Sequence, residues 1–262
     1  MDLDLIKRTA IGAAYQGADV LRSYFGKKPA VRKKSAIDLV TEADVASEAA
    51  IVEVIRSRFP DHAVLAEEGG ESGEEQQCRW IIDPLDGTTN FAHQLPIYAV
   101  SIGVAIRGRI VAGVVLNPSS GELFTATVEE GARLNGKPIR VSPVTSLEDS
   151  LLVTGFPYNV RDLLPEITRR LQNCLGVAQG VRRLGSAALD LCYVACGRFE
   201  GFWEQYLNPW DTAAGTCIAE AAGAVITDFC GKPYPLGGKE ILASNGLIHQ
   251  QLIEALDLKE VE

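Results

Sequence analysis

Two aspartates that follow a short apolar segment are well suited to bind a metal ion. Residues 80–82 read Trp-Ile-Ile, which predicts a buried strand, and Asp83 and Asp86 come directly after it. Pro84 fixes one backbone torsion and donates no hydrogen bond, so the chain can turn and leave the carbonyl oxygen of Leu85 facing both aspartates. Because carboxylate and carbonyl oxygens are hard ligands, this segment predicts a site for a divalent cation.

The next residues suit an anion. Gly87, Thr88 and Thr89 resemble the start of a short helix, where backbone N–H groups without helical partners point toward a negative group. A cation and an anion in one place indicate a phosphate. Asp-Pro and Asp-Gly pairs are also common in surface turns without any chemistry, and this segment alone does not decide between the two interpretations.

Two further acidic segments favour the metal site. The apolar segment 63–66 predicts a strand that ends in a pair of glutamates, of which Glu67 is the first. Later in the chain, Asn208 and Pro209 have the residue types of a helix cap and a first helical position, which places Asp211 in the first turn. The helix dipole keeps Asp211 ionised, as a metal ligand must be, although a carboxylate there can also serve the dipole alone.

Three motifs together resemble the inositol monophosphatase family, with bacterial members the most similar. They read W-I-I-D-P-L-D-G-T-T-N-F at residues 80–91, A-E-E-G at 66–69 and P-W-D-T-A-A-G at 209–215. The Gly-Ser-Ala-Ala segment at 185–188 also fits, and the resemblance covers nearly the whole chain. It implies an α/β (α+β) layered sandwich with alternating helix and sheet layers of the sugar-phosphatase type, and a metal site between two lobes.

The resemblance assigns the metal ligands. Glu67, Asp83 and the carbonyl oxygen of Leu85 would hold a first cation. Asp83, Asp86 and Asp211 would hold a second, so Asp83 would bridge the two ions. Hard oxygen ligands without thiolate or imidazole point to Mg²⁺, in two or three copies, with Mn²⁺ as a substitute.

Two other acidic residues stand close to this ligand set in the sequence. Glu68 competes with Glu67 by position, and the family pattern favours Glu67. Asp44 lies three residues after Thr41 in a pattern like a capping box, so it either caps a helix or faces the metal site. In the family the matching aspartate lies near a third, weaker cation, which gives Asp44 a secondary role.

The resemblance also assigns the residues that act on water and substrate. Thr88, beside Glu67, would orient the attacking water, and Asp44 completes this catalytic group. The N–H groups of Gly87 and Thr88 would bind phosphate oxygens, and no covalent phosphoenzyme is expected. The other substrate-binding residues belong to the metal site, open a helix of the second lobe or accept a sugar hydroxyl: Asp86, Asp211, Gly185, Ser186, Ala187 and Glu204.

The expected activity is Mg²⁺-dependent hydrolysis of a sugar or polyol phosphate monoester, with myo-inositol monophosphate as the first choice and Li⁺ as a typical inhibitor. Residues 89–91 have the Thr-Asn-Phe form of inositol monophosphatases, whereas nucleotide-bisphosphatase relatives tend to carry Lys at the first position. The family likeness also implies a homodimer.

Two alternatives stay open. A fructose-1,6-bisphosphatase or dual-specificity sugar phosphatase would need a cation for a second phosphate. The candidates for that cation are Arg161, Arg169, Arg170, Arg182 and Arg183. An alternative from another class is a scaffold or binding protein that retains the phosphatase fold, because fold alone does not determine function.

Composition argues against other classes of protein. The 262 residues carry a formal net charge of −9 and a pI near 5.0, whereas nucleic-acid surfaces are basic. The first residues lack the regions of a secretion signal, and no stretch approaches the roughly 20 apolar residues of a membrane span, so we expect a soluble, cytoplasmic protein. Six cysteines without a C-x-x-C pair predict buried free thiols rather than a zinc site or disulfides.

Hydrophobic periodicity predicts the elements that position these residues. The first lobe, residues 1–145, should contain two helices and an antiparallel meander, at 3–25, 40–59, 99–106, 110–116 and 122–126. The second lobe, residues 146–262, should alternate strands and helices, at 150–154, 163–175, 179–184, 186–196, 201–204 and 209–222. Between the first two helices lies a basic loop with Lys28 and Lys34, which could attract a phosphorylated substrate.

Overall fold

The structure is a computed structural model that describes residues 2–27, 31–33, 39–73 and 77–258. Lys28 and Lys34 of the basic loop lie outside the described residues. The α-helices within those ranges are α1 (Leu3–Tyr24), α2 (Glu42–Arg58), α3 (Thr88–Ala92), α4 (Leu164–Val177), α5 (Ala187–Ala195), α6 (Pro209–Ala221) and α7 (His249–Leu256).

The strands form a two-stranded ladder and two larger sheets. The first ten are β1 (Val31–Lys33), β2 (Leu39–Thr41), β3 (Ala63–Ala66), β4 (Gly70–Ser72), β5 (Cys78–Asp86), β6 (Ala99–Ile106), β7 (Arg109–Asn117), β8 (Glu122–Thr127), β9 (Gly131–Leu134) and β10 (Lys137–Pro138). The last five are β11 (Leu151–Thr154), β12 (Gly180–Arg182), β13 (Gly201–Gln205), β14 (Val225–Thr227) and β15 (Glu240–Ser244).

The large sheet has eight strands in the order β10-β9-β8-β7-β6-β5-β3-β4, and only the β3–β5 pair is parallel. The strands from β6 to β8 form the antiparallel meander that the sequence predicts. The Asn135-Gly136 turn joins β9 to β10, whose register pairs Leu134 with Lys137. The small sheet has the order β12-β11-β13-β15-β14, with β11 parallel to both of its neighbours.

Helices cover both faces of each sheet. α1 and α2 pack on each other and on the large sheet, where Ile6 and Ile51 meet Trp80 and Ile102 in one apolar cluster. α5 and α6 lie between the two sheets. α4 and α7 cover the far face of the small sheet. The layers therefore run helix, sheet, helix, sheet, helix, which confirms the predicted layered sandwich.

Two glycines bring α6 close to the large sheet. A Cβ atom on Gly113 of β7 would lie 2.5 Å from the carbonyl oxygen of Ala214, and one on Gly103 of β6 would lie 2.7 Å from the Cβ of Ala213. Any side chain at either position would push the helix away. This close approach holds the start of α6, where Asp211 lies, against β6 and β7 of the sheet that contains β5.

Several predictions about elements need correction. Residues 40 and 41 belong to β2, which pairs with β1, so α2 begins only at Glu42. For the other predicted helices, α1, α4, α5 and α6, the predicted first and last residues lie within two positions of the observed ones. β14, β15 and α7 follow the last predicted helix and were not predicted. Cys230 is exposed and Cys196 is half-buried, so the prediction of buried thiols is wrong for Cys230.

The boundary near residue 145 falls between the strands of the large sheet and those of the small sheet. Because α6 packs mainly on the large sheet, the division of the chain into two lobes stays a prediction. Within the described ranges, no helix has the length and apolar character that crossing a membrane requires.

Candidate functional site

The parallel pairing of β3 with β5 brings two acidic residues to one edge of the large sheet. Ala66 lies opposite Ile82, so each strand is followed by its carboxylate residue, Glu67 or Asp83. The backbone N–H of Glu67 donates a hydrogen bond to the carbonyl oxygen of Ile82 at 3.2 Å. The chain therefore leaves β3 directly beside Asp83.

An irregularity in β5 places Asp86 on the same side as Asp83. The register with β6 pairs Asp83 with Ser101 but Asp86 with Ala99, so β5 contains one extra residue there. In a regular strand these two side chains would point to opposite faces, and a one-residue bulge reverses that relation. An Asp83 carboxylate oxygen also accepts the N–H of Leu85 at 2.9 Å, which fixes the turn that Pro84 was predicted to make.

Gly87 turns the chain from β5 into α3. Its φ of +98° lies in the left-handed region, and a Cβ atom there would lie 2.9 Å from the carbonyl oxygen of Ile97. α3 then begins at Thr88, whose hydroxyl lies 3.1 Å from both the carbonyl oxygen of Leu85 and a carboxylate oxygen of Asp44. Asp44 is completely buried on α2. It faces the candidate site rather than solvent.

Asp86 connects the large sheet to the start of α5. Its Oδ2 atom accepts the hydroxyl of Ser186 at 2.5 Å and the backbone N–H of Ala188 at 2.8 Å. Burial raises the pKa of Asp86 to about 6, although these hydrogen bonds act to lower it. The Asn90 side chain adds a second connection, because it donates to the carbonyl oxygens of Ile97 and Leu184, each at 2.8 Å.

Asp211 lies in the first turn of α6, as predicted. Its Oδ2 atom accepts the backbone N–H of Asn208 at 2.6 Å, and Pro209 occupies the first helical position. The surrounding protein atoms partly desolvate Asp211, and this effect, followed by the negative charge of Asp86, raises its pKa well above the usual value. Asp211 is thus close enough to the carboxylates of the large sheet to interact with them.

Electrostatic repulsion connects all four carboxylates of the predicted metal site: Glu67, Asp83, Asp86 and Asp211. Burial raises the pKa of Asp83 well above its usual value, and the charges of Glu67, Asp86 and Asp211 raise it further. Among the residues that the structure describes, no three His, Cys, Asp or Glu side chains are already placed as the ligands of one metal ion. A divalent cation in this region would offset the mutual repulsion of the four groups, so the donor set fits a hard cation.

Glu204 lies on β13 and is only 7% exposed. Burial raises its pKa to about 8, while the positive charge of Arg183 acts to lower it. Its carboxylate fills the space that the missing side chain of Gly155 leaves open. The carboxylate therefore has a fixed position on the small-sheet side of the site.

A cavity of about 100 Å³ lies between these groups. All eight residues predicted to bind substrate line it: Asp86, Gly87, Thr88, Gly185, Ser186, Ala187, Glu204 and Asp211. The predicted residues Asp44, Glu67, Asp83 and Leu85 are not among its lining residues, and lie around Thr88, Asp86 and Asp211 instead. A larger cavity of about 430 Å³, next to Arg109 and Glu220, contains none of the predicted residues.

Sequence reasoning missed the opposite wall of this cavity. It is formed by Gly155, Phe156, Pro157 and Tyr158 after β11, and by Tyr206 and Leu207 after β13. The order of strands in the small sheet puts these two loops side by side, since β11 and β13 are parallel neighbours. The Gly-Phe-Pro-Tyr turn was the available signal, because it follows a predicted strand.

Comparison with known proteins gives one family. The model of the inositol monophosphatase family matches residues 2–260. An inositol-1-monophosphatase of Synechocystis is 49% identical over 242 residues, which cover 92% of this chain and 84% of that protein. A Nus factor SuhB of Pseudomonas aeruginosa is 45% identical over 231 residues, which cover 86% of this chain and 85% of that protein.

Solved structures of similar proteins have the same fold as this chain. The extragenic suppressor protein suhB of Bartonella henselae has a TM-score of 0.94 and 39% identity, with 98% of this chain and 100% of that chain covered. The structure of an inositol monophosphate bound SaIMPase-II has a TM-score of 0.81 and 28% identity, with 95% and 92% covered. The same SaIMPase-II has also been solved with 2'AMP bound.

Proposed function

Because the chain belongs to the inositol monophosphatase family and is a phosphatase, we propose that it hydrolyses a phosphate monoester of a sugar or polyol in a Mg²⁺-dependent reaction. Myo-inositol monophosphate is the proposed substrate. One observation carries the proposal: Asp86 from the end of β5 and Asp211 from the first turn of α6 line one cavity, together with the turn at Gly87 and Thr88. A related structure with bound inositol monophosphate supports the substrate class.

Glu67, Asp83 and the carbonyl oxygen of Leu85 would hold a first Mg²⁺. Asp83, Asp86 and Asp211 would hold a second. A third, weaker site would lie near Asp44, and Mn²⁺ can replace Mg²⁺ in such hard-ligand sites. When bound, these ions activate a water molecule and stabilise the leaving oxygen of the ester.

The chain's own residues then position the reactants. The Thr88 hydroxyl donates to Asp44, which leaves its lone pairs available to accept a hydrogen bond from the attacking water. As the water attacks, it would give its proton to the Thr88 oxygen while the hydroxyl proton passes to the Asp44 carboxylate. The N–H groups of Gly87 and Thr88 would bind phosphate oxygens at the turn into α3. Water attacks phosphorus directly, and the alcohol leaves with a proton from solvent, so no covalent intermediate forms.

The polyol would bind on the small-sheet side of the cavity. The loop at Gly185, Ser186 and Ala187 lies against Asp86, and Glu204 faces the cavity at its other side. The carboxyl group of Glu204 can form a hydrogen bond with a substrate hydroxyl. We therefore expect Glu204→Gln to weaken turnover of inositol phosphate more than turnover of a simple phosphate ester.

The variant Asp83→Asn tests the proposal. Phosphate release from inositol monophosphate with Mg²⁺ should fall by about 10²- to 10³-fold or more, because both proposed ion sites lose a charged ligand. The circular dichroism spectrum should not change, and calorimetry should show weaker Mg²⁺ binding. Asp149→Asn, at an exposed site outside the cavity, is the control. Normal Mg²⁺-dependent activity of the Asp83 variant would refute the assignment.

Two family properties extend the proposal. We expect inhibition by Li⁺ and a homodimer, which a titration of activity with LiCl and sedimentation in solution would test. If LiCl does not change the activity, the expected Li⁺ inhibition is wrong. If the protein sediments as a monomer, the expected homodimer is wrong.

A second candidate function is that of a scaffold for a binding partner. It is favoured by the relatives that carry the name Nus factor SuhB. If binding is the main function, the inactive Asp83→Asn chain should still rescue the phenotype of a strain that lacks the gene. Loss of rescue together with loss of phosphatase activity would favour the enzyme.

A further inference from the structure

Tyr206 has a backbone conformation that tyrosine seldom adopts. Its φ of +58° lies in the left-handed region, where the Cβ atom crowds the following carbonyl oxygen. In the part of the chain that the structure describes, the other non-glycine residues with positive φ are Gln94, Arg107 and Asn135, and each lies in a turn. None of those three lines the cavity, whereas Tyr206 does. The residue with backbone strain at the site is thus an aromatic one.

This position requires a left-handed residue because the chain turns there from β13 toward α6. The backbone N–H of Tyr206 donates to the carbonyl oxygen of Lys239 at 2.7 Å, which extends the pairing of β13 with β15 by one residue. Two residues later, Asn208 precedes α6 as its N-cap residue, and the first turn of α6 carries Asp211. Glycine would meet this requirement without strain, so a tyrosine here must offer something that glycine lacks.

The side chain of Tyr206 contributes little to the fold. The residue is 43% exposed, and among the described residues its hydroxyl has no hydrogen-bond partner and its ring contacts no other ring. Other tyrosines differ: the ring centroid of Tyr193 lies 6.1 Å from that of Phe124, and the hydroxyl of Tyr234 lies 3.4 Å from that of Thr212. Backbone strain without an internal benefit is typical of residues that serve a ligand.

Tyr206 shares one wall of the cavity with two other aromatic residues. Phe156 and Tyr158 follow β11, and they lie beside Tyr206 because β11 and β13 are parallel neighbours. Glu204, which we propose to bind a substrate hydroxyl, precedes Tyr206 by two residues and lines the same cavity. A phosphate held at the metal end would therefore direct its alcohol group toward an aromatic wall.

We propose that Tyr206 is a specificity-determining residue whose ring packs against the alcohol portion of the substrate, so that the site favours the phosphate of a ring-shaped polyol over that of a short open-chain alcohol. The inference rests on the proposed phosphatase function, since it concerns the alcohol side of the same cavity. An aromatic ring offers a flat apolar face that the C–H groups of a cyclic polyol can cover. A short open-chain alcohol has no such face.

The test compares Tyr206→Gly and Tyr206→Asn with the wild type in the full-length protein with Mg²⁺. Both new residues accept a positive φ, so neither should disturb the turn. Phosphate release is measured from myo-inositol monophosphate and from glycerol 2-phosphate, and kcat and KM are determined for each. We expect both variants to lower the ratio of kcat/KM for the inositol ester to kcat/KM for the glycerol ester by about 5- to 10-fold, mainly through KM, as for the loss of one aromatic contact.

Arg107→Gly is the matched control. Arg107 has a φ of +51° in a turn outside the cavity, so its replacement relieves the same kind of strain without a change at the site. The ratio should stay within about 2-fold of the wild-type value. Tyr206→Phe keeps the ring and should lower the ratio by less than about 3-fold. If Tyr206→Phe lost as much as Tyr206→Gly, the hydroxyl rather than the ring would discriminate, and the inference would be wrong.

Two further measurements separate substrate recognition from a structural role. Tyr206→Gly should raise the melting temperature by about 2–4 °C, because it removes the left-handed strain. Inorganic phosphate, which has no alcohol group, should inhibit the wild type and Tyr206→Asn with inhibition constants within about 2-fold of each other. A lower melting temperature, or weaker inhibition by phosphate, would show that Tyr206 supports the fold or the position of Asp211, and would overturn the inference.

The outcomes distinguish this inference from the proposed function. If the wild type hydrolyses both esters and the Tyr206 variants keep the wild-type ratio, the role of Tyr206 is wrong and the phosphatase function stands. Equal losses on both esters overturn the inference in the same way, since they would not concern the alcohol. If the wild type hydrolyses neither ester, the proposed function itself fails, and this inference fails with it.

Discussion

The hydroxyl of Ser186 donates a 2.5 Å hydrogen bond to the Oδ2 atom of Asp86, although the two residues are 100 positions apart in the chain. This bond joins the end of β5 to the first turn of α5. It also stabilises the charged form of Asp86, because an ionised carboxylate accepts a hydrogen bond more strongly than a protonated carboxyl group does. The contact therefore connects the fold of the chain to the protonation of a proposed metal ligand.

Ser186→Ala should make Mg²⁺ binding more sensitive to acid. The hydrogen bond from Ser186 lowers the pKa of Asp86, which is about 6, so its loss should raise that pKa by about one unit. Mg²⁺ requires the deprotonated carboxylate. The Mg²⁺ concentration for half-maximal activity should therefore rise about 5-fold at pH 6, and hardly at all at pH 8.

Ser150→Ala provides the matched control for Ser186→Ala. Ser150 is also completely buried and donates a hydrogen bond, to the carbonyl oxygen of Ser146, but it lies outside the cavity. Its substitution should lower stability without changing the pH dependence of Mg²⁺ activation. An identical pH dependence in the Ser186 variant and the wild type would contradict the role given to this hydrogen bond.

Gly113→Ala should weaken both the fold and the metal site. The new methyl group would lie 2.5 Å from the carbonyl oxygen of Ala214, so α6 must move away from β7. We expect the free energy of unfolding to fall by about 1–3 kcal/mol, as for other overpacked positions. Because α6 carries Asp211, Mg²⁺ affinity measured by calorimetry should fall as well.

Gly12→Ala controls for the added methyl group. Gly12 lies within α1, and a Cβ atom there would have no neighbour within 4 Å. The substitution should stabilise the protein by about 0.5–1 kcal/mol through helix propensity, with Mg²⁺ affinity unchanged. If Gly113→Ala had the same small effect as Gly12→Ala, the close approach of α6 would not be important for the site.

Local patterns in the sequence were sufficient to predict the meander and most helices. The apolar alternation of residues 99–126 and the caps of α5 and α6 depend on neighbours along the chain, and they appear where expected. The predicted substrate residues also meet in one cavity, because family motifs carry information about distant contacts. Whether these residues bind metal and substrate stays a prediction.

Other features depend on contacts that no local pattern reveals. The bulge between Asp83 and Asp86 becomes visible only from the register with β6. The need for glycine at 103 and 113 comes from α6, which is about 100 residues away in the chain. Asp190 resembled an ordinary helical residue, since its burial behind the cavity results from the packing of α5 between the two sheets.

Asp190→Leu should stabilise the protein. Both oxygens of Asp190 are buried without a hydrogen-bond partner, and leucine has a similar branched shape without polar atoms. Removal of such a group should raise the free energy of unfolding by about 1–3 kcal/mol, measured by urea denaturation at neutral pH. Asp149→Leu, at an exposed position, should change it by less than about 0.5 kcal/mol. A destabilised Asp190 variant would show that the carboxyl group contributes favourably to the fold.

Glu204 should make the metal-free protein less stable as the pH rises. Its pKa is about 8 in the folded chain, against 4.5 as the ordinary value for glutamate, so the folded state binds more protons between these limits. Stability from this group is therefore fully present below pH 4.5 and is lost as the pH rises to about 8. The loss should amount to a few kcal/mol, since one pKa unit corresponds to about 1.4 kcal/mol.

Glu204→Gln isolates this contribution, because glutamine does not titrate and fills a similar volume. Urea denaturation in the presence of EDTA, repeated from pH 5 to pH 9, should give a steeper decline for the wild type than for the variant. Glu148→Gln, at an exposed position outside the cavity, should follow the wild type. Parallel curves for the wild type and Glu204→Gln would mean that Glu204 is already ionised at neutral pH, and that it meets a substrate hydroxyl only as an acceptor.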